Sequence, residues 1–85
     1  MSRMTSSAAE RRNRHTVTAE LVANVLSIEV EVGDRVTETD TVCVLESMKM
    51  EIPVLAEQVG RIAEVIVSTG DVVRDGDPLV VVTLG

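Results

Sequence analysis

The chain has no aromatic residue, and among its 85 residues it has one cysteine, one histidine and one lysine. Without Phe, Tyr or Trp, a hydrophobic core must be built from aliphatic side chains, and most of these are valines. Valine is restricted at χ1 and fits a pleated strand better than a helix, so this composition predicts an all-β fold. The length is sufficient for one small domain.

The single cysteine excludes an internal disulfide. Cys43 lies in the apolar run 41–45, so we expect a buried and unreactive thiol. The only histidine, His15, precedes the apolar part of the chain, which leaves no Cys–His pair and no Ser–His–Asp triad there. The sequence therefore predicts a protein that is not an enzyme. Asp34 and Asp71 lie in separate turns, so no metal site is expected.

Charge divides the chain into two parts. Residues 1–16 hold four arginines and one glutamate, a net charge of +3, whereas residues 17–85 hold four basic and thirteen acidic residues, a net charge of −9. We expect 1–16 to be a disordered basic leader and 17–85 to be the folded domain. The acidic domain argues against nucleic acid as a partner. No secretory or membrane-spanning segment is present, so we expect a cytoplasmic protein that does not contact a membrane.

The folded part repeats itself after 37 residues, so that segment 23–47 aligns with segment 60–84. The repeat predicts two four-stranded antiparallel sheets that face each other with quasi-two-fold symmetry, as a flattened β-barrel or sandwich. Val44 and Val81 align, and we expect both to point inward. The predicted strands are 17–23, 26–31, 35–37, 42–47, 50–55, 61–67, 72–74 and 79–84.

The repeated Gly-Asp pairs predict tight turns. Gly33 and Gly70 are expected to have positive φ, where a Cβ would be unfavourable. Asp34 and Asp71 are then placed to accept hydrogen bonds from nearby backbone N–H groups.

The only lysine, Lys49, lies at the junction of the two repeats, within Glu46-Ser47-Met48-Lys49-Met50. We expect Met48 and Lys49 to form a two-residue hairpin loop at one end of the sandwich, with the chain termini at the opposite end. Such loops favour primed turns with positive φ, which is a strained conformation for bulky residues. From the residues alone, a site of covalent modification and an ordinary surface lysine both remain open.

This segment resembles the Glu-Ala/Ser-Met-Lys-Met motif of biotin carboxyl carrier proteins and of the biotinyl domains of biotin-dependent carboxylases. The resemblance covers residues 18–84, because several segments fall where that family has its turns: Val32-Gly33-Asp34, Gly60-Arg61-Ile62, Gly70-Asp71-Val72-Val73 and Gly76-Asp77-Pro78-Leu79. The connection 32–42 has no room for the protruding thumb loop of many bacterial carriers. The chain is thus most similar to short free-standing biotin attachment proteins.

The resemblance implies that a biotin protein ligase attaches biotin to Lys49 through an amide. It implies ligase recognition through Met48 and Met50, with Glu46 and Ser47 as further motif residues. The carrier would then shuttle carboxybiotin between a biotin carboxylase and a carboxyltransferase, with an acyl-CoA as the common acceptor in fatty acid biosynthesis. We expect the isolated carrier to be a monomer.

Two alternatives to the biotin carrier remain. A lipoyl domain has the same fold and a lysine at the same hairpin, although an acid there usually precedes the lysine. A protein with dual biotin and lipoyl attachment belongs to this alternative. The second alternative is a β-sandwich interaction module with an unmodified lysine.

Overall fold

The computed structural model describes residues 13–85, and within this range all regular secondary structure is β-strand. The eight strands are β1 (Arg14–Thr18), β2 (Ala23–Ile28), β3 (Arg35–Val36), β4 (Thr41–Ser47), β5 (Met50–Leu55), β6 (Gly60–Val65), β7 (Val72–Val73) and β8 (Pro78–Leu84).

The strands form two four-stranded antiparallel sheets. One sheet has the order β1-β8-β6-β3 and the other has the order β5-β4-β2-β7. The two sheets are separate, so the fold is a sandwich and not a closed barrel. The connection from β2 to β4 contains the short strand β3, which pairs with β6. No thumb loop protrudes from this connection. The predicted all-β, two-sheet fold is confirmed.

The 37-residue repeat is visible in the backbone. Adding 37 to the bounds of β2, β3 and β4 gives the bounds of β6, β7 and β8. The contacts between strands repeat as well, because the N–H of Val25 donates to the carbonyl of Asp71 at 2.8 Å and that of Ile62 donates to Asp34 at 2.9 Å. The two halves therefore bury one core around an approximate two-fold axis, as the repeat predicts.

The Gly-Asp turns have the predicted geometry. The φ angles are 97° at Gly33 and 96° at Gly70. The Asp34 carboxylate accepts a hydrogen bond from the N–H of Glu31 at 2.9 Å, and the Asp71 carboxylate accepts one from Ser68 at 2.8 Å. Each aspartate thus satisfies a backbone donor at a turn, and this structural role accounts for both acids.

The core lies between the sheets and is aliphatic. Its largest fully buried side chains include Leu45, Ile62 and Leu79. The prediction that Val44 and Val81 point into this core was wrong. Val44 is half-buried, Val81 is buried at 7% exposure, and neither belongs to the core cluster.

Strand geometry explains this error. Side chains alternate between the two faces of a strand. Cys43 and Leu45 face the core with 0% and 1% exposure, which places the intervening Val44 on the other face. The inward-facing two-fold equivalents are therefore Cys43 with Val80 and Leu45 with Val82, since both partners in the second half are fully buried.

The first two strands differ from the predicted bounds. β1 begins at Arg14 and β2 begins at Ala23, each three residues before its predicted start at 17 or 26. The polar residues Arg14 and His15 concealed β1, although the strand pairs with β8 along its length. Residues 1–12 of the predicted leader lie outside the described residues.

Two further expectations concern membranes and metals. In the part of the chain that the structure describes, no helix has the length and apolarity needed to cross a membrane. Within residues 13–85, no group of three or more His, Cys, Asp or Glu side chains is placed to hold a metal ion.

Candidate functional site

Lys49 lies at the tip of the β4–β5 hairpin. Ser47 pairs with Met50, so the loop between the strands consists of Met48 and Lys49 alone. Their φ angles are 54° and 68°, which places both residues in the left-handed region of a type I′ turn. Asn and Gly are the usual residues there, and left-handed backbone costs other residues roughly 1–2 kcal/mol each. The predicted two-residue hairpin loop is confirmed, and its φ angles are those of the primed turns that such loops favour.

The side chains at the tip face solvent. Met48 is 91% exposed, Met50 is 65% exposed, and Lys49 is also exposed. Among residues 13–85, no carboxylate lies within 4.0 Å of the Lys49 ammonium group. Nζ is therefore accessible from solvent, and the two methionines offer adaptable apolar contact area on either side of it.

The other two motif residues stand at the base of the turn. Glu46 pairs directly with Glu51 across the hairpin, so two carboxylates share one face of the sheet. Like charges directly opposite each other destabilise a strand pair. The fold alone therefore does not require an acid at both positions. The Ser47 hydroxyl donates a hydrogen bond to the carbonyl of Val22 at 3.1 Å, which ties the hairpin to the β1–β2 loop.

The hairpin tip lies at one end of the sandwich. The start of β1 and the end of β8 lie at the opposite end. The N–H of Leu84 donates to the carbonyl of Asn13, so β1 starts where β8 ends. His15 contacts Glu57 after β5, and the N–H of Glu57 donates to the carbonyl of Glu38 before β4. The seven residues of β4 span about 20 Å, and they separate this end from Lys49.

Cys43 takes no part in the tip. Its side chain is fully buried in the core. Burial, with a smaller contribution from the Glu29 carboxylate, raises the pKa of the Cys43 thiol to about 11. The thiol therefore stays protonated at neutral pH and is a poor nucleophile, in agreement with the prediction of an unreactive cysteine.

The sequence predictions do not include two residues that lie beside the tip. Val22 in the β1–β2 loop and Val72 in β7 line a shallow depression together with Met48 and Lys49. Both valines look like ordinary members of an apolar-rich strand sequence. Comparison of the two repeats does distinguish Val72, because the aligned residue in the first repeat is the charged Arg35.

Comparison with known proteins agrees with this geometry. A family model described as "Biotin-requiring enzyme" matches residues 16–82. The chain is 49% identical over 67 residues to a biotinylated protein TB7.3 homolog of Mycobacterium leprae, a match covering 79% of this chain and 94% of that protein. It is 41% identical over 64 residues to the biotin/lipoyl attachment protein of Bacillus subtilis, covering 75% of this chain and 88% of that protein.

Solved structures with the same fold include a multi-domain long-chain acyl-CoA carboxylase, with a TM-score of 0.80 and 32% identity. That match covers 86% of this chain and 7% of the carboxylase chain. The lipoyl domain of the Azotobacter vinelandii 2-oxoglutarate dehydrogenase complex matches with a TM-score of 0.70 and 28% identity, covering 82% of this chain and 96% of that domain. The chain belongs to the biotin/lipoyl attachment domain family.

Proposed function

We propose that Lys49 is the acceptor of a covalently bound biotin and that the chain is a biotin carrier. The observation that carries this proposal is the presentation of the only lysine on a strained two-residue turn, exposed between two exposed methionines. Strain of this kind persists where rigid flanking strands maintain it and where function requires the geometry. The family match and the names of the relatives support biotin as the attached group.

The attachment reaction is an amide formation. A biotin protein ligase uses ATP to activate the biotin carboxylate as an adenylate, and the neutral Nζ of Lys49 attacks its carbonyl carbon. The C–N bond forms, the C–O bond to AMP breaks, and the amine loses a proton. The protein supplies an unobstructed Nζ on a rigid hairpin, which positions the nucleophile without ordering a flexible loop.

Once attached, biotin supplies a ureido nitrogen that carries CO₂ as a carboxyl group between two active sites. The chain itself performs neither carboxylation nor transfer; its hairpin keeps the group at high effective concentration near both partners. The partners are a biotin carboxylase and a carboxyltransferase of an acyl-CoA carboxylase type in the cytoplasm, and the isolated carrier is a monomer. The structural similarity to an acyl-CoA carboxylase supports a carboxylase context.

Co-expression with a biotin protein ligase tests the acceptor assignment. Intact-mass measurement and a streptavidin blot are expected to show one biotinyl group on the wild-type chain. Lys49→Arg retains the positive charge and is expected to show none, with an unchanged circular dichroism spectrum as the fold control. No mass gain in the wild type, or an equal gain in Lys49→Arg, would overturn the proposal and favour an unmodified interaction module.

A second candidate is lipoyl attachment at the same lysine. The similarity to the Azotobacter lipoyl domain supports this candidate, as does the B. subtilis relative named for both groups. Met48 is the residue that separates the two, because lipoyl domains usually place an acid there. Parallel labelling with a biotin ligase and a lipoyl ligase is expected to favour biotin for the wild type, and Met48→Asp is expected to shift labelling toward lipoyl. Unchanged relative labelling would eliminate Met48 as the discriminating residue.

A further inference from the structure

Two exposed valines lie beside the acceptor lysine. Val22 is 62% exposed and Val72 is 64% exposed. They line one depression of about 280 Å³ with the tip residues Met48 and Lys49 and with residues of β2 and β4, among them the polar Asn24 and Glu46. The depression brings together three parts of the fold, namely the β1–β2 loop with the start of β2, the end of β4 with the hairpin tip, and β7. A surface formed by three segments is defined by the fold and not by the linear motif.

Each of the two valines has an equivalent residue in the other half of the domain. Val59 occupies the position equivalent to Val22, and Arg35 occupies the position equivalent to Val72. Arg35 is exposed at the start of β3, as Val72 is at the start of β7. Because the same strand position accepts an arginine in one half, the fold does not require an apolar side chain there.

Ser47 fixes one of these valines relative to the lysine. Its hydroxyl donates to the carbonyl of Val22, and Ser47 itself closes the two-residue turn by pairing with Met50. The equivalent position in the second half is Leu84, which has no hydroxyl. This side-chain hydrogen bond is therefore specific to the end of the sandwich that carries Lys49.

An enzyme that forms a bond to Nζ must approach the hairpin to within the length of one lysine side chain. It therefore covers the side chains around the turn, and covering exposed apolar area favours association. We infer that Val22 and Val72 extend the surface recognised by the biotin protein ligase beyond the two methionines. Ser47 acts as the positioning residue that holds Val22 beside Lys49. This inference rests on the proposed function.

The test measures initial rates of biotin transfer to the full chain by a purified biotin protein ligase, at varied carrier concentration. Val22→Asp and Val72→Arg are each expected to raise the KM for the carrier about tenfold, through loss of one buried valine contact, with kcat unchanged. The matched control is Val59→Asp at the opposite end, where the side chain is 50% exposed, and it is expected to have the wild-type KM.

Ser47→Ala is expected to raise the KM about threefold, and Ser47→Thr, which restores a hydroxyl, is expected to return it toward the wild-type value. Rescue by threonine separates positioning from a general loss of stability. Circular dichroism of each variant establishes that it is folded, and Val72→Arg tests the surface independently if Val22→Asp fails to fold.

Three outcomes carry different conclusions. Equal KM values for Val22→Asp, Val72→Arg and Val59→Asp, with the wild type biotinylated, would overturn the extended surface while leaving the proposed function intact. A raised KM for both valine variants with an unchanged value for Ser47→Ala would overturn the positioning role alone. Absence of biotin transfer to the wild type would overturn the proposed function and this inference together.

Discussion

Nε2 of His15 lies 2.7 Å from Oε1 of Glu57, and this contact joins the first strand to the loop after β5. The two side chains are 32% and 48% exposed, so water screens their interaction. Glu57 also has a φ of 73°, an unfavourable angle for a residue with a side chain. The contact links β1 to the loop after β5 at the end of the sandwich remote from Lys49.

Removal of this contact is expected to have a small effect. His15→Ala should lower the free energy of unfolding by about 1 kcal/mol or less, because partly exposed pairs contribute little. Biotin transfer to Lys49 should not change, since β4 separates the two sites. Urea unfolding followed by circular dichroism and the transfer assay measure both quantities. A reduced transfer rate in a fully folded His15→Ala chain would contradict this separation of the two ends.

At the Met48-Lys49 turn, we expect a substitution that relieves backbone strain to increase stability and to reduce biotin transfer. Met48→Asn places a residue that tolerates the left-handed region at φ 54°, and the unfolding free energy should rise by roughly 0.5–1 kcal/mol. Biotin transfer should fall, because one of the two methionine contacts is lost. Met50→Asn is the control, since Met50 lies in β5 and gains no relief from asparagine. Equal stability changes in the two variants would contradict strain at Met48.

The sequence predicts the symmetric features of the fold better than the side-chain orientations. The sequence pattern locates β3 through β8 to within two residues, together with the lysine hairpin, and Gly33 and Gly70 mark equivalent turns in the two halves of the repeat. It does not locate β1, whose residues Arg14 and His15 are polar on a strand at the edge of its sheet. Apolar content alone does not assign the two faces of β4 either, because valine, cysteine and leucine there occupy consecutive positions.

The candidate site could be predicted from the sequence only as far as its linear motif extends. Lys49 and its neighbours from Glu46 to Met50 are contiguous, and the hairpin keeps them together. Val22 and Val72 reach the lysine only through the packing of other strands, so no local pattern indicates them. The bond from Ser47 to Val22 likewise joins residues 25 positions apart, and only the folded structure shows it.

The inward face of β4 gives a stability prediction. Leu45 is 1% exposed and belongs to the core cluster, so Leu45→Ala should cost about 2–5 kcal/mol through lost burial and a residual cavity. Val44 is half-buried on the other face, so Val44→Ala should cost less than about 1 kcal/mol. Because the chain has no aromatic residue, far-ultraviolet circular dichroism in urea is the suitable measurement. A larger loss for Val44→Ala than for Leu45→Ala would contradict this orientation.

Cys43 makes the stability depend on pH in alkaline solution. Its pKa is about 11 in the folded chain, whereas the ordinary value for a cysteine thiol, which we take for the unfolded chain, is 9.0. Below the unfolded value both states hold the proton and the full stability is present. As the pH rises from there toward the folded value, the unfolded chain loses the proton first, so unfolding becomes more favourable by at most about 1.4 kcal/mol per pH unit.

This alkaline loss can be assigned because the chain has no tyrosine and one lysine, so few other groups titrate in the same range. Urea unfolding under reducing conditions at about pH 7.5 and about pH 10.5 should show a clear decrease for the wild type. Cys43→Ala is the matched control; it should start from a lower stability because of the small cavity, and it should lose less between the two pH values. An equal decrease in both chains would assign the alkaline loss to groups other than the buried thiol.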